Sequence, residues 1–159
     1  MSLTQGQELP SLELHVKDAE GIDVFDTGVF FKGKKAVVFS VPGAFTPTCS
    51  AKHLPSYLAH CDDLKAAGFD AIICLSVNDA HVMYAWGEAQ GVGDKIIMLA
   101  DNTAAFSEAI GLAVHMGPVI GTRASRSAFI VEDGVITKCF EEEPMVYEVS
   151  SAEHVLANL

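Results

Sequence analysis

The chain has 159 residues, 50% of them apolar and 19% charged, which suits one compact domain over residues 1–159 with a substantial core and excludes a disordered chain. Ten basic against 21 acidic side chains leave a net charge of −11, which repels phosphate backbones and anionic lipid, so neither nucleic acid nor a membrane is an expected partner. The first ten residues lack the basic cluster and apolar run of a signal peptide and no apolar stretch reaches the roughly 18 residues of a membrane span, so a cytoplasmic location is the expectation.

In chain order, the first clear element is the run AVVFSV at residues 36–41, apolar, β-branched and ended by Pro42-Gly43, the pattern of a strand buried on both faces. After a turn, Leu54, Leu58, Cys61 and Leu64 recur at three- and four-residue steps, marking one face of a helix that Gly68 can stop. Cys49 falls at the start of that helix. Pro55 lies too deep in it to be its first residue, so a kink is expected there. AIICLSV (residues 71–77) reads as a second buried strand, Asn78 or Asp79 as a cap, and the following helix runs to about residue 90. KIIMLAD (residues 95–101) is a third strand, and a short helix follows over about 103–110. In SAFIVEDGVITKCF (residues 127–140), Asp133-Gly134 between two β-rich runs predicts a hairpin. Ser150 with Glu153 three residues later matches a capping box for a last helix. Parallel βαβ units followed by a hairpin and a helix give an α/β sandwich with a mixed central sheet, whose sites lie beyond the carboxyl ends of its strands.

The turn after the first strand is such a place, and its residues suit a reactive thiol. Pro42 and Pro47 stiffen the loop. A thiol at a helix N-terminus meets unpaired N–H groups and the positive dipole end, which lower its pKa from about 8.5 toward roughly 3.5 to 7.5. Thr46 can place a hydroxyl beside the sulfur, to accept from a peroxide or donate to the thiolate. The chain has only two arginines, Arg123 and Arg126. A guanidinium can hydrogen-bond a thiolate and a peroxide oxygen together, and Arg126, adjoining the strand at 127, is the choice.

Plainer readings stand beside these. Cys61, Cys74 and Cys139, each inside an apolar run, are expected to be core fillers. Thr46 or Thr48 can cap the helix, the two arginines can be a solvated pair, and His53 can be an exposed helix residue or a base for Cys49. The four cysteines and six histidines show no CxxC pair and no metal-ligand spacing, so neither a metal nor another cofactor is expected.

The segment Pro42 to Cys49 fits PxxxTxxC, and the fuller PGAFTPTCS followed by HLPSY resembles peroxiredoxins of the peroxiredoxin-5 group, including plant type II enzymes. The likeness continues through residues 74–86, 99–112 and 125–136. It implies a thioredoxin-like fold, Cys49 as the peroxidatic cysteine, Thr46 and Arg126 completing the site, and Pro42 shielding it. It further implies reduction of hydrogen peroxide and organic hydroperoxides through a sulfenic acid, and homodimers packed near the active-site loops, which Phe45 and the 116–120 region including Ile120 would suit. Many members carry a resolving cysteine near the C-terminus, but residues 141–159 contain none. Cys74 matches a second cysteine of plant type II and related bacterial members, as a resolving or secondary thiol, yet sits in an expected buried strand. An external reductant, glutathione with glutaredoxin or else thioredoxin, is therefore expected. Two rival readings are a cysteine hydrolase using His53 as base and a non-enzymatic thioredoxin-fold binding or holdase module.

Overall fold

The computed structural model describes residues 2–159 and begins with an antiparallel pair that the apolar runs did not mark, β1 (Glu13–Lys17) and β2 (Ile22–Asp26). Ile22 and Val24 of β2 are exposed, because β2 is an edge strand, so this pair has no continuous apolar run to betray it. A short helix α1 (Thr27–Phe30) leads to β3 (Lys35–Ser40). The backbone is helical from Pro47, passes through a π-helical turn at Cys49–His53, and continues as α2 (Leu54–Ala59) and α3 (Cys61–Ala66). β4 (Ala71–Ser76), α4 (Ala80–Gln90), β5 (Ile97–Ala100) and α5 (Ala105–Ala109) follow. β6 (Ala113–His115), α6 (Gly117–Ile120) and β7 (Thr122–Ala124) form a small flap, itself unmarked in the sequence. The chain ends with β8 (Ser127–Glu132), β9 (Val135–Glu141) and α7 (Ala152–Ala157).

Seven strands form one sheet in the order β2-β1-β5-β4-β3-β8-β9, with β3, β4 and β5 parallel and the others antiparallel. Alternation along the central strands feeds two cores. Val37, Phe39, Ile72, Cys74, Ala128 and Ile130 face one with Tyr57 and Trp86, while Val38, Ile73, Leu75, Phe129 and Val131 face the other with Phe31 and Phe106. Phe39 stacks flat on Tyr57 at 4.1 Å between ring centroids, and burying a side chain of this size contributes about 1.5–3 kcal/mol. That stack clamps α2 to β3.

The disturbance expected at Pro55 is the π-helical turn directly before it, where the Leu54 N–H reaches the Cys49 carbonyl and the missing proline donor is absorbed. Past α3, the Phe69 N–H donates to the Leu64 carbonyl and the Gly68 N–H to that of Lys65, with Gly68 at φ +99°, a Schellman stop. Asp79, not Asn78, caps α4 by accepting from the Val82 N–H. Asp133 and Gly134 both take positive φ in the β8–β9 turn, as a two-residue hairpin requires. The capping box at Ser150 does not form. Ser151 caps α7 by accepting from the His154 N–H, while the Ser150 hydroxyl is turned to Glu142.

Candidate active site

β3 and β8 run antiparallel with Ser40 opposite Ser127, so the residue before β8 lies beside the carboxyl end of β3, where the Pro42–Cys49 loop begins. That residue is Arg126. Its Nη2 donates to Cys49 Sγ at 3.0 Å, and its Nη1 donates to His53 Nδ1 at 2.9 Å. Arg123 is used otherwise: Nη1 donates to the Val77 carbonyl at 2.9 Å and Nε to the Ile120 carbonyl at 3.0 Å, tying α6 to the end of β4. The two arginines are thus neither equivalent nor a solvated pair.

The loop is fixed by its own bonds. The Ala44 N–H donates to Asn78 Oδ1, which also accepts from the Ser76 hydroxyl, so the turn is held to the end of β4. Thr46 Oγ1 donates its proton to the Gly43 carbonyl at 2.7 Å. With that proton committed, the hydroxyl can only accept from a molecule arriving in front of it. The expectation that Thr46 or Thr48 caps the helix is not met, since neither hydroxyl accepts a backbone N–H among the described residues. A pocket of about 540 Å³ opens here, lined by Pro42, Thr46, Thr48, Ile120 and Arg126 and, opposite, by Pro144, Met145 and Tyr147. Phe45 does not line it. At φ +65° and 57% exposed, its ring turns outward, 6.5 Å from that of Trp86.

Cys49 itself is fully buried in the core that holds Phe39 and Tyr57, so it shares the burial expected of the other cysteines. The Arg126 guanidinium, partly buried and lining the pocket, reaches the buried sulfur from the pocket side. Cys61 and Cys74 are buried as well, and Cys139 is partly so. Cys74 sits in β4 opposite Phe39, and burial, with the charge of Cys49 adding to it, pushes its thiol well above the ordinary cysteine range. The described residues contain no cluster of three or more potential metal ligands.

His53 is neither exposed nor a base for Cys49. A guanidinium can only donate, so Nδ1 holds a lone pair, and Nε2 carries the proton that it donates to the Ser150 carbonyl at 3.1 Å. Both ring nitrogens are thereby occupied in a neutral imidazole. Burial first, and the Arg126 charge second, lower its pKa from 6.5 to about 3, against an opposing bond to Ser150. The sign for folding follows: between those two values the unfolded chain binds a proton that the folded chain refuses, so stability is present above 6.5 and is lost as pH falls. The full shift is worth about 5 kcal/mol at most. His60, raised by Asp63 and Glu153, acts in the opposite sense, but its exposure to solvent screens that effect. Urea unfolding midpoints should therefore fall between neutral pH and about pH 5, above the range where carboxylates protonate, and His53→Gln should flatten that slope. An unchanged slope in the variant would contradict this placement.

The Redoxin family model matches residues 4–156. Peroxiredoxin-2E-2, chloroplastic, of Oryza sativa subsp. japonica is 40% identical over 164 residues, covering 99% of this chain and 73% of the rice protein. This chain belongs to the peroxiredoxins. Among solved structures, reduced Prx3 of Vibrio vulnificus in complex with hydrogen peroxide superposes with a TM-score of 0.94 at 47% identity, covering 99% of both chains. Peroxiredoxin 5 of Alvinella pompejana gives 0.84 at 30% identity, covering 98% of this chain and 97% of its own. The peroxiredoxin described here therefore has the thioredoxin-like fold and is a thiol-dependent peroxidase, an oxidoreductase that reduces hydroperoxides at the expense of a thiol.

Proposed function

We propose that Cys49 is the peroxidatic cysteine of this enzyme, carried by one observation, the Arg126 Nη2 to Cys49 Sγ hydrogen bond at 3.0 Å. The guanidinium favours the thiolate and is placed to follow the charge onto the departing oxygen. The thiolate attacks the terminal oxygen of a hydroperoxide: an S–O bond forms, the O–O bond breaks, and the remaining oxygen takes up a proton and leaves as water or an alcohol. Thr46, its proton already given to Gly43, accepts from the peroxide O–H and fixes its approach. Pro42 lines the same pocket, and we assign it the role of shielding the thiolate. The hydrolase reading loses its base, because His53 has no free lone pair.

The sulfenic acid left on Cys49 needs a thiol, and we assign that role to an external reductant, glutathione with glutaredoxin or thioredoxin. Residues 141–159 hold no cysteine, and Cys74 is buried with its thiol pushed away from ionisation, which disfavours it as a resolving group. The thiol attacks the sulfenic sulfur and water leaves; a second thiol then releases a disulfide and restores Cys49. Since Cys49 has no exposed surface, the first helical turn has to open for this step. Steady-state assays with each reductant system should show turnover with at least one, retained in Cys74→Ser. Turnover that disappears in Cys74→Ser would assign resolution to Cys74 instead.

A homodimer fits the apolar surface around the pocket mouth, where Phe45, Met116, Val119, Ile120 and Met145 are all exposed, Val119 at 91%. Sedimentation should give twice the chain mass, and Val119→Asp should return it to the monomer; a monomeric wild-type protein would remove the dimer from the proposal.

A further inference from the structure

The loop between β9 and α7 is not merely a wall of the pocket. Glu142 lies at its start, and its main-chain N–H donates to the Arg126 carbonyl at 3.0 Å. Its carboxylate gathers the other end of the same loop: Oε2 accepts the N–H groups of Glu148, Val149 and Ser150 at 2.8, 2.9 and 2.9 Å, and the Ser150 hydroxyl at 2.7 Å. Four donors on one carboxylate oxygen are more than a surface glutamate needs, and an ionised acceptor strengthens each of them. What they fix is the buried Ser150, whose carbonyl accepts from His53 Nε2 and from the Tyr57 hydroxyl. His53 then accepts from Arg126 Nη1, leaving Nη2 for the sulfur. The bonds therefore close a ring that leaves Arg126 by its main chain and returns to it by its side chain.

We propose that Glu142 is a positioning residue for peroxide reduction, acting on Cys49 through Ser150, His53 and the orientation of the Arg126 guanidinium. Without the carboxylate, the loop at 148–150 loses the anchor of three consecutive N–H groups, and the Ser150 carbonyl no longer sits at a fixed height under the imidazole. The imidazole can then turn, and the guanidinium loses the partner that aims its second nitrogen at the sulfur. Tyr147 adds to the effect, since its ring lies 5.2 Å from that of His53 and 6.0 Å from the Arg126 guanidinium carbon. A displacement of this group by about 1 Å is enough to cost on the order of 100-fold in rate.

The proposal rests on the role given to Arg126, and the experiment separates the two. Three variants of the full-length chain are compared with wild type for the second-order rate constant with hydrogen peroxide, for the pH at which Cys49 becomes alkylated by iodoacetamide, and for melting temperature. Glu142→Ala is expected to lose about 10- to 100-fold in rate and to need a higher pH for alkylation; Glu142→Gln, which keeps an acceptor oxygen in place, should recover most of both. If Glu142→Ala does not fold, the comparison of Glu142→Gln with wild type carries the test, with a smaller loss in the same two readouts. Glutamate variants that melt earlier yet react and alkylate as wild type would reduce Glu142 to a structural residue and overturn the proposal. Arg126→Lys is the control: if it too reacts at the wild-type rate, the reading of Arg126 fails and this inference falls with it, whereas a slow Arg126→Lys beside unaffected Glu142 variants sinks this inference alone.

Discussion

Cys49→Ser should reduce peroxide turnover to the rate of the uncatalysed reaction while leaving the fold in place. Serine replaces the sulfur with a smaller atom that still accepts from Arg126 Nη2, so the partly buried guanidinium keeps a partner. What is lost is the anion, since a hydroxyl is not ionised at neutral pH and is a weak nucleophile without a base; His53, with both nitrogens engaged, cannot serve as one. The corresponding variants of Cys61, Cys74 and Cys139 should retain hydrogen peroxide reduction with an external thiol. A peroxidase assay under steady-state conditions reads all four, and undiminished turnover in Cys49→Ser would remove the proposed nucleophile.

Arg126→Lys is expected to slow peroxide reduction by roughly 10²- to 10³-fold, the loss that follows removal of one transition-state donor. The geometry says why lysine fails: one guanidinium spans His53 Nδ1 at 2.9 Å and Cys49 Sγ at 3.0 Å with two different nitrogens, and a single ammonium has no such fork. Arg123→Lys should differ in kind. Its hydrogen bonds go to the carbonyls of Val77 and Ile120, so the expected effect is a stability loss of about 1–3 kcal/mol with less than about a tenfold change in rate. Rate constants from stopped-flow mixing, set beside denaturant midpoints, distinguish the two. Equal rate losses for both arginines would show that proximity to Cys49 is not what matters.

Much of this site was legible in the residues because its parts lie close together in the chain. Pro42, Thr46 and Cys49 occupy one strand–turn–helix connection, and such connections announce themselves by a buried apolar run, a Pro-Gly stop and a new period. Arg126 was reachable for a different reason: only two arginines exist, and one adjoins a strong strand signal. The antiparallel pairing of β3 with β8, which delivers it to the sulfur, is a long-range fact that no local pattern encodes. The same limit hid the ring through Glu142 and Ser150. Ser150 resembled a cap because Glu153 follows three residues later, yet Ser151 competes for that role and wins, and nothing local distinguishes them. The inward position of His53 has no signal of its own in the sequence, because the chain makes a π-helical turn at Cys49–His53, which rotates every later side chain relative to Cys49. Pro55 was the available clue, since a proline inside a helix has to be accommodated by the turn before it. β1, β2, β6 and β7 leave no local signal because none is a continuous buried apolar run: β2 and β6 are mostly exposed, and β1 and β7 are mostly half-buried with one buried residue each.

Peroxide turnover by this enzyme depends on the sulfur of Cys49 being the atom that takes oxygen from a peroxide. Reduced protein treated with one equivalent of hydrogen peroxide in the presence of a diketone that captures sulfenic acids should yield a single adduct per chain, and peptide mass spectrometry should place it on Cys49. Adducts on Cys61, Cys74 or Cys139 with Cys49 left as a free thiol, or peroxide consumed with no sulfenic acid formed at all, would contradict it.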